Sequence, residues 1–131
     1  MALTEVDAAR LNDNVFNTVG PFKNRIINGD MRIDQRNAGA SLAVPNDAVT
    51  YTVDRWNVYE NTAGAVSVQR STTAPAGFTN SALITITTAD SSIASGDIGT
   101  FRQYIEGFNI SDLGWGTASA KTVVLSFCVR S

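Results

Sequence analysis

The sequence predicts an all-β fold: an antiparallel β-sandwich of roughly six or seven strands, preceded by a short N-terminal arm or helix. Three observations predict it. Segments in which apolar and polar residues alternate recur along the chain, which is the period of a half-buried strand. Long loops rich in Gly, Ser, Asn and Asp separate them, the residues that turn a backbone. Charged residues make up only 17% of the chain, low for a protein built from surface helices, and Ser and Thr are frequent. A length of 131 residues and a hydrophobic content of 44% suit one domain with one ordinary core.

The first 23 residues differ from the rest. Leu3, Val6, Leu11, Val15, Phe16 and Val19 are spaced for the most part three to five apart, interrupted by Asn12, Asp13 and Asn14. They read as a short amphipathic helix, or as an irregular arm that buries its apolar points on another chain. Gly20 and Pro21 close this segment, and Ile26 and Ile27 lead into Asn28-Gly29-Asp30. Asn-Gly is a strong turn signal because both residues tolerate positive φ.

Strand patterns follow. Met31, Ile33 and Gln35 alternate with Arg32, Asp34 and Arg36, and a loop from Asn37 to Asp47 carries Gly39 and Pro45. Alternation resumes over residues 49–59 and again over 65–70, where Val66 and Val68 oppose Ser67 and Gln69. From Ala82 to Thr88, Leu83 takes one side and Ile84 and Ile86 the other, as in a half-buried strand. A polar loop over 90–100 leads to a strand at Phe101–Glu106, and a Gly-rich stretch over 107–117 precedes a last strand, 122–131. In that strand Val123, Leu125, Phe127 and Val129 share a face, and Cys128 on the other reads as a buried thiol acting as a small hydrophobe. So apolar a strand with no turn or cap after it implies a sandwich incomplete at its C-terminus, since a free apolar edge invites aggregation. The expectation is that the chain continues past Ser131; the alternative is that another subunit supplies the missing strands.

The chemistry is as informative for what it lacks. There is no histidine, which removes the usual base of Ser and Cys nucleophile systems and the commonest metal ligand. Carboxylate pairs could serve a glycosidase, and Asp30 with Asp34, or Asp54 with Glu60, have spacings that place them near each other. Among 12 acidic residues such coincidences are expected, and ion pairs or a solvated face explain them as well. One carboxylate beside a Gly turn, Asp30, falls far short of a calcium site. No catalytic residue, metal or cofactor is therefore assigned, and the chain reads as a non-enzyme. A formal net charge of −2 with no run of Lys or Arg gives no footprint for nucleic acid. The N-terminus has neither a basic nor an apolar signal region, and no apolar run is long enough to cross a bilayer, so no membrane role is expected.

Non-catalytic sugar binding needs aromatic faces and planar polar side chains on a rigid scaffold. Tyr59, Tyr104 and Trp115 are the candidates, Trp115 because it lies between glycines in Leu113-Gly114-Trp115-Gly116. Packing or a subunit interface is the competing explanation for each. Trp56, in an alternating strand after Asp54-Arg55, reads as core.

Two groups of segments carry a resemblance. Asn24-Arg25-Ile26-Ile27-Asn28-Gly29-Asp30-Met31-Arg32-Ile33-Asp34-Gln35-Arg36 and Tyr51-Thr52-Val53-Asp54-Arg55-Trp56 resemble the opening of a domain common in bacteriophage tail fibre proteins. Arg102-Gln103-Tyr104-Ile105-Glu106-Gly107 and Lys121-Thr122-Val123-Val124-Leu125-Ser126-Phe127 are similar to carbohydrate-binding modules of the jelly-roll, galactose-binding-like type. The resemblance spans about residues 24–131. It implies a jelly-roll that presents loops to sugars or to neighbouring virion proteins, usually within a trimeric fibre. The opening Met1-Ala2-Leu3-Thr4-Glu5-Val6 also looks like tail proteins whose first residues dock to the tail. Members of the family commonly continue past the Ser-Phe strand, and an aromatic is frequent where Cys128 stands.

Together these lead to an expected division into an attachment arm, 1–23, and a jelly-roll sandwich, 24–131. The expected function is that of a structural virion protein, the N-terminal part of a tail fibre or host-adsorption protein. It would be located in the virion tail after assembly in the host cytoplasm. Leu3, Val6, Leu11, Val15 and Phe16 would hold it to tail or baseplate subunits, as a homotrimer, and the β domain would contact host surface polysaccharide. A capsid decoration or head-fibre protein is the first alternative. A non-catalytic module of a polysaccharide-degrading tailspike is the second.

Overall fold

A computed structural model of the chain describes residues 23–131. The attachment arm and its residues Leu3, Val6, Leu11, Val15 and Phe16 therefore lie outside the described residues. Six strands run in order: β1 (Leu42–Ala43), β2 (Ala48–Tyr51), β3 (Trp56–Asn61), β4 (Ala65–Ser71), β5 (Ser81–Thr88) and β6 (Ile98–Gln103). A single helical turn, α1 (Gly107–Ile110), continues into a 3-10 turn at Ser111–Leu113. The strands form two antiparallel three-stranded sheets, ordered β1-β4-β5 and β2-β3-β6. The described chain is thus mostly β, as its alternating pattern requires.

The pleat decides what each sheet buries. Val68 of β4 pairs with Ile84, and Val58 of β3 pairs with Phe101. Val58, Val68 and Val44 form the buried cluster, and Val66 and Phe101 pack against it, so the two sheets meet there. Val66 and Val68 do oppose Ser67 and Gln69, as their alternation predicts. Trp56 extends the apolar side of β3: its ring stacks on Phe101 at 4.8 Å between centroids, and its indole N–H donates to the Asn28 carbonyl at 3.0 Å. It is half-buried rather than fully core.

Residues 49–59, which alternate without a visible break, are a hairpin. Thr52 N–H donates to the Trp56 carbonyl (3.0 Å) and Trp56 N–H to that of Val53 (2.9 Å), with Arg55 at φ 74°. At the β3–β4 connection, a Cβ on Gly64 would stand 2.8 Å from the Thr88 carbonyl oxygen, so only glycine lets this turn approach the end of β5.

Several expectations are corrected. Residues 31–36 form no strand. Their polar side chains bind backbone locally, which competes with a ladder. Asn28, at φ 54°, accepts from Ile33 N–H (2.9 Å) and donates to the Ile33 and Asp54 carbonyls (2.8 and 2.9 Å). Asp34 accepts from Asn37 and Gly39 N–H (3.2 and 2.6 Å), closing a turn. The expected strand at Phe101–Glu106 is displaced, because the ladder with β3 ends at Gln103. Residues 122–131 form no strand either: among the described residues they pair with nothing, Leu125 and Phe127 are 73% and 77% exposed, and Cys128 is exposed rather than buried. The apolar alternation is present in that segment, but no neighbour among the described residues supplies the partner a strand needs. β5 likewise has the expected facing, yet it is exposed over most of its length rather than half-buried.

Candidate functional site

The side of β2-β3-β6 turned away from the apolar cluster is the candidate site, and register assembles it. Val49 pairs with Tyr59 and Tyr59 with Thr100; Tyr51 pairs with Asn57 and Asn57 with Arg102. Cross-strand partners share a face, so Val49, Tyr51, Asn57, Tyr59, Thr100 and Arg102 lie together, opposite Val58 and Phe101. Tyr104, two residues beyond Arg102, continues the same row.

Arg102 organises this face. Its guanidinium carbon lies 5.5 Å from the centre of the Tyr59 ring and 5.4 Å from that of Tyr104, within the range of cation–π attraction. Its Nε donates to Asn57 Oδ1 at 2.9 Å, and among the described residues its two terminal nitrogens make no hydrogen bond. Asn57 is fully buried beneath it, and its amide nitrogen has no partner. Tyr59 is fixed at its far end, where the hydroxyl donates to Asp47 Oδ1 at 2.8 Å. That hydrogen bond, with burial second, holds the phenol above its ordinary pKa. Tyr104 is 55% exposed, and its carbonyl accepts from Arg55, which also pairs with Glu106 at 2.6 Å. The Arg55 hydrogen bond is the main reason the Glu106 carboxyl lies below its usual range. Arg36 stands over the Tyr51 ring at 5.8 Å, so a third tyrosine of the face is covered by a cation.

Of the three aromatic candidates, Tyr59 and Tyr104 are brought together by a shared arginine. Trp115 is held separately, in a loop of its own. Gly114 and Gly116 there adopt φ 61° and 87°, and the indole N–H donates to the Lys121 carbonyl at 3.0 Å. Its ring is half exposed, 54%, as its glycine neighbours suggest. Sequence reasoning missed Arg102, Asn57, Tyr51 and Asp47. The signal for Arg102 was its place two residues before Tyr104; the others needed the hairpin register.

The acidic residues have local partners of their own. Asp30 lies near Arg32 at 3.7 Å, Asp34 closes its turn, Asp54 accepts from Gln35 N–H at 3.0 Å, and Glu60 is buried with Thr62 donating to it. Asp30, Asp34 and Asp54 are thus engaged locally, whereas Glu60 Oε2 is buried without a partner among the described residues. Among the described residues no group of three His, Cys, Asp or Glu side chains gathers to hold a metal ion. What the face offers a ligand is a planar cation with free N–H donors, flanked by aromatic rings.

The fold and this face describe a mostly β protein with an aromatic and cationic sheet surface. Comparison of the chain with protein-family models, curated proteins and solved structures gave no match.

Proposed function

We propose that the protein is a structural component of a virion, the N-terminal part of a tail fibre or host-adsorption protein, whose jelly-roll-like sandwich contacts host glycans through the Tyr59–Arg102–Tyr104 face. The observation that carries the glycan reading is the Arg102 guanidinium set between two tyrosines, with its terminal nitrogens unbonded among the described residues. Sugar rings stack their C–H faces on aromatics, and their hydroxyls or carboxylates take up planar N–H donors. The virion assignment is supported by the resemblance of the 24–36 and 51–56 segments to tail fibre proteins, and the sandwich by the two antiparallel sheets.

The test is retention of the full chain on immobilised bacterial surface polysaccharides. Arg102→Ala and Tyr104→Ala are each expected to reduce retention about tenfold, the loss of roughly 1.4 kcal/mol. Retention unchanged in both variants would remove the face from the reading. Antibody labelling of intact particles tests location. Label over the whole shell rather than the tail favours a capsid decoration protein.

A further inference from the structure

Two apolar elements of the described chain lack partners, and they match each other. β5 is the outer strand of β1-β4-β5, hydrogen-bonded among the described residues to β4 alone. Its sequence, Ser81-Ala82-Leu83-Ile84-Thr85-Ile86-Thr87-Thr88, has no charge, proline or glycine, the features with which free edges are usually blunted. The other outer strands are shorter or interrupted: β1 is two residues long, β2 is four, and β6 carries Gly99 and Arg102 and is met at Gln103 by Ile27. Ile84 and Ile86 lie on the same face as their partners Val68 and Val66. That is the face of the buried cluster, yet Ile84 is 45% and Ile86 70% exposed. The apolar layer is open along this strand.

The second element is residues 122–129, Thr-Val-Val-Leu-Ser-Phe-Cys-Val. It has the eight-residue length of β5, alternates with the same period, and likewise has no charge, proline or glycine. Val123, Leu125, Phe127 and Val129 fall on one face, all exposed, from 48% to 85%. Its near end is pinned by Lys121 N–H to the Leu113 carbonyl (2.8 Å), next to Asp112, which pairs with Arg25. That anchorage belongs to the segment following β6, in the other sheet. Within one chain, the edge and the segment that fits it do not pair.

We propose that residues 122–129 of one copy add as a strand to the β5 edge of a second copy, so that the protein assembles with itself by strand exchange. Addition supplies the backbone hydrogen bonds that β5 lacks on its outer side. It also lays Val123, Leu125, Phe127 and Val129 beside Ile84 and Ile86, closing the apolar layer. Reciprocal exchange closes a dimer, and one-way exchange closes a ring where the rotation between copies brings the last back to the first.

Period-2 geometry makes the test sharp. If the apolar face of the segment turns inward, Cys128 turns outward, on the side of Leu83, Thr85 and Thr87. Leu83→Cys, Thr85→Cys and Thr87→Cys are made in the full chain, with Ala82→Cys, Ile84→Cys and Ile86→Cys as opposite-face controls. After mild oxidation, a disulfide between copies, read on a non-reducing gel, is expected in the first set and not in the second. Light scattering of the unaltered chain is expected to give a discrete multiple of the chain mass. Ile84→Pro, which removes an N–H on the outer side of β5, and the double change Leu125→Lys with Phe127→Lys are each expected to give the monomer. Stacking of Trp56, followed by its fluorescence, verifies that the variants fold. A monomer at all concentrations, or an oligomer that survives both folded variants, overturns the proposal. A disulfide within one chain also overturns it, because the segment would then cover its own β5.

Discussion

Gln103 holds Ile27 by both ends of its side-chain amide: Oε1 accepts from the Ile27 N–H at 2.9 Å and Nε2 donates to the Ile27 carbonyl at 2.6 Å. A side chain at the end of β6 thus does for one residue what a neighbouring strand would do, and it fastens the segment before Asn28 to the sheet. Gln103→Ala is expected to lose about 1–2 kcal/mol, two largely exposed hydrogen bonds. The Ile27 amide should then exchange with solvent at least tenfold faster. Gln103→Glu keeps the acceptor and loses the donor, so its effect should fall between.

Asn28 joins three strained or irregular pieces of backbone at once. Its side chain bonds Ile33 and Asp54, its carbonyl receives Trp56, and its φ is 54°. Asn28→Ala is expected to cost about 2–4 kcal/mol in chemical denaturation, from lost hydrogen bonds and the left-handed backbone. Asn28→Gly relieves the backbone and loses only the bonds, so it should recover about 1 kcal/mol of that. Equal losses in the two variants would show that the backbone contributes nothing.

Arg25 grips Asp112 with two hydrogen bonds, 2.7 and 2.6 Å, and also donates to the Asn109 carbonyl. The Arg25 hydrogen bond, first among the causes, lowers the Asp112 carboxyl to about 2 from its ordinary 3.8. A depressed carboxylate stabilises the fold above its unfolded pKa, and that contribution is lost as pH falls from about 4 to about 2. Carboxyl titration followed by NMR should show the midpoint near 2, and Arg25→Ala should return it to the ordinary range. The loop holding Trp115 should loosen over the same window.

For Tyr59 the sign is opposite. Its phenol titrates above the ordinary value because it donates to Asp47, so the neutral form is the one the fold favours. Stability from this bond is present below the ordinary tyrosine pKa and disappears as pH rises through the raised one. Asp47→Asn should lower the Tyr59 midpoint in a phenol titration followed by NMR.

Val68 is 1% exposed and sits where the two sheets meet, against Val58 and Val44. Val68→Ala is expected to cost about 2–3 kcal/mol by thermal or denaturant unfolding, two methyl groups and the cavity they leave. Ile86→Ala, at an open site 70% exposed, should cost under about 1 kcal/mol in the monomer and more in an assembled form.

The amino-acid sequence by itself determined the strand-forming character of this protein. It also determined the facing of β4 and β5 and the turn at Asn28, because alternation and turn chemistry are properties of neighbouring residues. It placed Tyr59 and Tyr104 on strands or beside them, and it marked Trp115 as exposed. Tertiary structure alone decided which segments found partners. Residues 31–36 and 122–129 alternate as convincingly as β4, yet the first gives its hydrogen bonds to Asn28 and Asp34 and the second meets no strand. Pairing is non-local, and a strand exists only where another chain segment supplies the missing half of its ladder. The same reason hid Arg102: its place between Tyr59 and Tyr104 follows from the register of β3 against β6, which no stretch of sequence contains.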